Sequence, residues 1–340
     1  MMHKGLLQQN WKQIKLVVWI LLVIFVLHMP LQAALSIETW NERVEQAEQS
    51  EEYVYEVQAW EVQQIFSEGL FSFFAAFTIA FLAAVLIGLE RNTRRNDFTF
   101  SLPFSRKQLF LSKWLLGSGT IALFFLINFF PAYWIISQSE FSYALTTVTW
   151  IEIFWGPLFG YVFFFTFCLF VGTMTGEMIS QMILSFILAF LPQIMLILIQ
   201  ELMRVHDLLY YLVSSHPRWV DYLTPFYYAI GELGEIAGLL LSILFTAAAL
   251  FGGIVLYEHN KLEYNGEFLI FKSLTVPFLV MITVIISLFG GLVVSSLAPW
   301  GADALRIISY WIGFCTFLLF AVLILKRITA MNVKFSGKAI

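Results

Sequence analysis

Eight stretches of about twenty mostly apolar residues recur along this 340-residue chain, near 16–36, 69–89, 114–136, 150–172, 181–203, 236–257, 273–296 and 304–325. A hydrocarbon core of ~30 Å demands roughly that length of helix for each crossing. Inside lipid every backbone N–H and C=O must find its partner within the protein, and a continuous apolar run of this length does so only as a helix. With 60% hydrophobic and 12% charged residues, against roughly 25% charged in soluble domains, a water-soluble fold is excluded. The expected fold is an all-α integral membrane protein of about eight transmembrane helices. A single transmembrane domain fills residues 1–340 and leaves no room for a large soluble one.

Charge sets the orientation. With the N-terminus inside, 15 of the 19 Lys and Arg fall in the cytoplasmic segments, before the first span, at 90–113, at 258–272 and after the eighth. Outside lie only Arg43, Arg204, Arg218 and Arg306. That split follows the positive-inside rule and puts both termini in the cytoplasm.

Residues 1–15 read as a short amphipathic N-terminal helix at the interface, with Leu6, Leu7, Trp11 and Ile14 at helical spacing between Lys4, Lys12 and Lys15. The span that follows is longer than a signal-peptide core, and Gln32-Ala33-Ala34 is a poor cleavage site, so an uncleaved helix is expected. The acidic extracytoplasmic segment 37–68 carries nine Glu and a single base, Arg43. Its Trp40, Val44, Ala47 and Val57, Trp60, Gln64 keep a helical spacing, so it is expected to be helical and partly packed. It either gathers cations or cationic peptides or is simply a charged, solvated helical hairpin, the plainer reading. The region 204–235, mixing charges with aromatics, is a candidate interfacial or re-entrant piece. Pro30, Pro131, Pro157 and Pro192 are expected kinks.

Catalytic patterns are missing. No GxxxxGK[ST] occurs, since Gly117-Ser118-Gly119-Thr120 lacks the lysine. There is no HExxH, and His3, His28, His206, His216 and His259 are scattered. The Glu51-Glu52 pair sits in the outer segment without a nearby histidine. His28 is read as a satisfied interfacial imidazole, and Cys168 and Cys315 as small packing residues. Catalytic, metal and cofactor sites are therefore not expected in this chain. Ion-coupled transporters bury charges near the bilayer midplane, whereas Glu152, Glu177 and Glu201 fall near span ends, and Asn128 is the best polar residue inside a span. Each is read as capping, snorkelling or hydrogen-bonding between helices rather than carrying substrate.

The longest cytoplasmic connection, 90–113, combines a basic start with Phe98, Phe100, Leu102 and Phe104 as apolar anchors, Pro103 as a break, and Ser101 and Ser105 as helix caps. Such a segment suits docking of a soluble partner; composition alone favours a solvated loop that only fixes topology. The run Glu90, Thr93, Asp97, Ser101-Leu102-Pro103, Ser105-Arg106 and Lys113 resembles the first cytoplasmic loop of ABC-2 type transporter permeases, where an acidic residue, an "sLPvsR" core and a following lysine recur. The resemblance implies a coupling helix over 97–106 that inserts into a cleft of an ATP-binding subunit. Docking would fall on Glu90, Thr93, Asp97, Phe98, Ser101, Leu102, Pro103, Ser105, Arg106 and Lys113.

It further implies a permease subunit in the plasma membrane, paired with a second copy or a related permease and surrounded by membrane lipid. ATP and Mg²⁺ would be held by cytoplasmic ABC ATPase subunits, and no nucleic acid is involved. Many family members have six spans; eight spans and a long acidic outer segment look like the Gram-positive permeases of the Ytr type. The rival readings are a membrane sensor or scaffold that signals to cytoplasmic partners, and an ion-coupled secondary transporter.

Overall fold

A computed structural model describes residues 4–50, 55–93, 95–208, 216–260, 262–299 and 301–330. The Glu51-Glu52 pair and His3 lie outside the described residues. The described chain is helical throughout its spans and contains no strand. The helices are α1 (Lys4–Val26), α2 (Gln32–Ser50), α3 (Ala59–Phe66), α4 (Leu70–Asn92), α5 (Arg95–Ser101), α6 (Arg106–Ser137), α7 (Gly156–Met174) and α8 (Met178–Val205). They continue with α9 (Arg218–Leu223), α10 (Pro225–Ala229), α11 (Ile236–Glu258), α12 (Lys272–Ser295) and α13 (Asp303–Ala330). Eight helical segments are long and apolar enough to cross a bilayer, matching the eight stretches read from the sequence. The protein is a multi-pass membrane protein, and an even number of crossings returns the chain to the side on which it began.

α1 and α2 form one helical rod joined by a π-helical turn, Leu27–Leu31, that contains Pro30. Proline has no N–H to donate, and widening the helix to a π turn absorbs the missing bond without ending it. A second π turn, Ile151–Trp155, precedes Pro157, which then occupies the first turn of α7, where no donor is needed. Pro131, Pro192 and also Pro277 lie inside α6, α8 and α12.

The N-terminal amphipathic stretch is helical and leads into the first span, as its spacing indicated. It runs unbroken into the first span, and its apolar side packs on protein: Leu6 and Ile14 are buried, and Asn10 donates to the Ser112 hydroxyl of α6 at 3.3 Å. Only Trp11 of that set faces outward.

α4 and α7 are the most enclosed helices, and α1, α6, α8 and α11 surround them. The core between them is aromatic. Phe25 meets Tyr161 at 5.5 Å edge to face, and Phe129 meets Phe154 at 4.8 Å, geometries that suit the ring quadrupoles. α12 and α13 pack chiefly on each other and touch the rest through α8. Cys168 is buried as expected, whereas Cys315 is exposed on α13 rather than filling a core.

The acidic outer segment is partly packed, as its spacing indicated. Trp40, Ala47, Val57, Val62, Ile65 and Phe66 are buried, while Trp60 is half exposed. Its lone base, Arg43, forms an ion pair with the buried Glu61, which also accepts from the Tyr55 hydroxyl at 2.8 Å. Within 204–235, the short α10 carries Phe226, Tyr228 and Ala229 into contact with α4, α7 and α8, while α9 packs on α8. Gly160 lets the backbone of α10 approach α7, since a Cβ there would lie 2.0 Å from the Tyr228 carbonyl oxygen.

His28 is wholly buried rather than interfacial; the Gln32 side chain interacts with its ring, and neither ring nitrogen has a partner of full hydrogen-bond geometry among the described residues. Asn128 bonds within its own helix, to the Phe124 carbonyl at 2.7 Å, rather than between helices.

Candidate functional site: the cytoplasmic connection between the second and third spans

Residues 90–113 span the end of α4, the short α5 and the start of α6. Two devices separate α5 from α6. Pro103 lies in the bend after Ser101, and the Ser105 hydroxyl accepts from the Gln108 N–H at 3.3 Å while the Gln108 side chain returns a bond to the Ser105 N–H at 3.0 Å. This reciprocal capping box fixes the first turn of α6. On α5, the Ser101 hydroxyl donates to the Phe98 carbonyl at 2.8 Å and that of Thr99 to Arg95 at 3.0 Å.

The residues singled out from the sequence divide into two groups. Asp97, Phe98, Ser101, Pro103 and Ser105 are exposed, Phe98 at 62%. Leu102 and Phe104 rest against the hydrophobic core below, and Thr93 turns its hydroxyl back to the Leu89 carbonyl at 2.8 Å. Glu90 and Lys113 belong to the interior. Lys113 Nζ donates to Glu90 Oε1 at 2.6 Å and to the Leu86 carbonyl at 2.7 Å, both side chains being almost wholly buried. Neither presents itself to a soluble partner, and together they tie the end of α4 to the first turns of α6.

Arg106 faces sideways. Its guanidinium donates to the carbonyls of Glu258 at 2.9 Å and Asn260 at 2.5 Å and lies 4.5 Å over the Phe100 ring. A cation at the carbonyl end of α11 is favoured by the helix dipole and satisfies acceptors that the helix leaves free. Phe100 in turn meets Tyr257 edge to face at 5.5 Å.

Further contacts, which the sequence did not announce, extend this network across the cytoplasmic side. Arg91, also buried, donates to the Gly172 carbonyl at 2.7 Å, while its Nε and Nη2 have no partner among the described residues. The Asn92 side chain accepts from the Met178 N–H at 3.0 Å, capping α8 from outside. Gly88 makes that approach possible, because a Cβ would fall 2.5 Å from Met178 Cα. Gly176 exchanges backbone bonds with Glu267 and Gly266 at 3.0 and 2.9 Å. The connections 90–106, 174–178 and 258–270 therefore form one braced platform, from which α5 projects.

The carboxylates flagged near span ends have local partners. Glu152 accepts from the Thr149 N–H at 3.1 Å, Glu177 from the Ser180 hydroxyl at 3.0 Å, and Glu201 pairs with Arg204 at 2.7 Å.

Among curated proteins, the chain is similar to the probable ABC transporter permease YtrC of Bacillus subtilis (strain 168), 27% identical over 136 residues. That stretch is 40% of this chain and 39% of that protein. No family model matches, and no solved structure matches.

Proposed function

We propose that this chain is the transmembrane subunit of an ATP-driven transporter of the ABC-2 type, akin to the Ytr permeases. Two permease subunits would stand on separate cytoplasmic ATPase subunits, which bind the ATP and Mg²⁺. The observation that carries this reading is a short helix exposing Asp97, Phe98 and Ser101 while buried charges brace it from beneath. A segment that transmits force must be accessible at its tip and stiff at its root, and α5 has both properties.

Closure of the ATPases on ATP would press on α5. The Glu90–Lys113 pair would pass the displacement to α4 and α6, and Arg106 to the end of α11. ATP biases the permease only so far as the ATPase cleft binds α5 with different affinity in its two states, because equal affinity shifts nothing.

The test is co-purification from native membranes in mild detergent, comparing the unaltered chain with an Asp97→Arg, Phe98→Glu variant. Arg106 is left intact because its bonds lie within the chain. An ATPase with P-loop motifs should accompany the unaltered chain and be lost from the variant at unchanged melting temperature. An ATPase retained by the variant, or absent from the unaltered chain under several gentle conditions, overturns the proposal.

A further inference from the structure

Two adjoining hollows lie along the cytoplasmic half of α1. The first, of about 390 Å³, is polar and sits between α1 and the α4–α5 junction, lined by Gln8, Gln9, Lys12, Gln13, Glu90 and Arg95. The second, of about 690 Å³, is an apolar furrow along the outer face of α1 that begins at Lys12 and Lys15 and follows Leu16, Trp19, Ile20 and Val23 to Ile24. Lys12 and Gln13 line both, so the two adjoin along α1.

We propose that this composite holds an anionic phospholipid of the inner leaflet, its phosphate head group against Lys12, Lys15 and Arg95 and an acyl chain along the furrow. Charge complementarity favours it. Lys12, Lys15 and Arg95 are exposed and form no ion pair among the described residues. Glu90, the one acid lining the pocket, already has its charge matched by Lys113.

Length favours it as well. From Lys12 to Ile24 the helix rises ~18 Å at 1.5 Å per residue, close to half of the ~30 Å hydrocarbon core, the depth of one leaflet. The furrow walls are open to lipid, with Leu16 at 70% and Val23 at 55% exposure. Basic pockets at the cytoplasmic ends of membrane helices recognise acidic lipid head groups, at about fivefold in affinity per charge near the surface. The inference does not depend on the transport reading above.

Native mass spectrometry of the detergent-purified full chain tests it, with phosphatidylglycerol, phosphatidylcholine and sn-glycerol 3-phosphate added separately. Phosphatidylglycerol should bind at concentrations at least about tenfold lower than phosphatidylcholine, the effect of fewer than two effective charges. Lys12→Gln alone should weaken it about fivefold, and Lys12→Gln, Lys15→Gln, Arg95→Gln together should abolish the preference. Leu16→Gln with Ile20→Gln should weaken phosphatidylglycerol while leaving glycerol phosphate no better a ligand. Equal binding of the two lipids, an unchanged preference in the charge variants, or glycerol phosphate competing as well as the lipid would each overturn the proposal. So would complete cross-linking between copies through Leu16→Cys, which would show a second chain covering the furrow.

Discussion

Lys113 Nζ lies 2.6 Å from Glu90 Oε1 with the two side chains 1% and 3% exposed, so one buried ion pair closes the cytoplasmic connection at its root. Removing one partner strands a charge in the interior, at a cost of about 3–5 kcal/mol, whereas replacing both by apolar groups of similar volume is often neutral. Glu90→Leu and Lys113→Met should each lower thermal stability in detergent strongly, and the double variant should recover most of the loss. Additive losses in the double-mutant cycle would show that the two charges are not coupled.

Arg106 is the lateral tie. Arg106→Ala forfeits two charge-assisted bonds to the carbonyls of Glu258 and Asn260 and the stacking on Phe100. On a partly exposed surface that amounts to about 1–2 kcal/mol. Limited trypsin digestion should cut at the exposed Arg95 and Lys107 several times faster in the variant. A single ammonium cannot reproduce the planar fork, so Arg106→Lys should restore little of the protection.

Two glycines should respond with opposite sign. Gly88→Ala places a methyl group 2.5 Å from Met178 Cα, so α4 and α8 must part, at about 1–3 kcal/mol. Gly119→Ala meets nothing within 4 Å, and in a helix interior alanine is preferred to glycine by up to about 1 kcal/mol. Melting temperatures of the two variants should move down and up, respectively. A neutral Gly88→Ala would mean that the two helix ends sit farther apart.

Burial holds the Glu177 carboxyl above the usual carboxylate range, with the Ser180 hydroxyl opposing part of the effect. The folded chain therefore keeps this proton to higher pH than the unfolded chain does. Its contribution to stability should fall as pH rises from the ordinary value of 4.5 through the folded value, and then level off. Glu177→Gln should flatten that portion of a melting-temperature profile against pH and gain stability at neutral pH. An unchanged profile would place the carboxylate in water.

What was legible in the sequence was what the bilayer imposes on any chain. The eight crossings follow from hydrocarbon thickness and the need to satisfy every backbone group within the helix, and those constraints act on runs of consecutive residues. The partial packing of 37–68 was legible for a similar reason, because helical periodicity is a local signal. The exposed tip of the cytoplasmic connection was legible too, through Pro103 and the Ser105 cap, which act within a few residues.

Burial, by contrast, depends on what another part of the chain brings alongside. Glu90 and Lys113 read from the sequence as members of the same surface set as Asp97 and Phe98, and only the tertiary fold, which brings the end of α4 beside α6, turned them inward as a pair. The attachment of Arg106 to the end of α11, 152 residues away in sequence, and of Arg91 to Gly172, 81 residues away, likewise has no periodic signature. The π turn that keeps α1 and α2 one rod through Pro30, and the burial of His28 beside it, were also decided in three dimensions. Hydropathy determined which segments enter the membrane; contacts between distant segments decided which polar groups brace the platform and which remain free to meet another molecule.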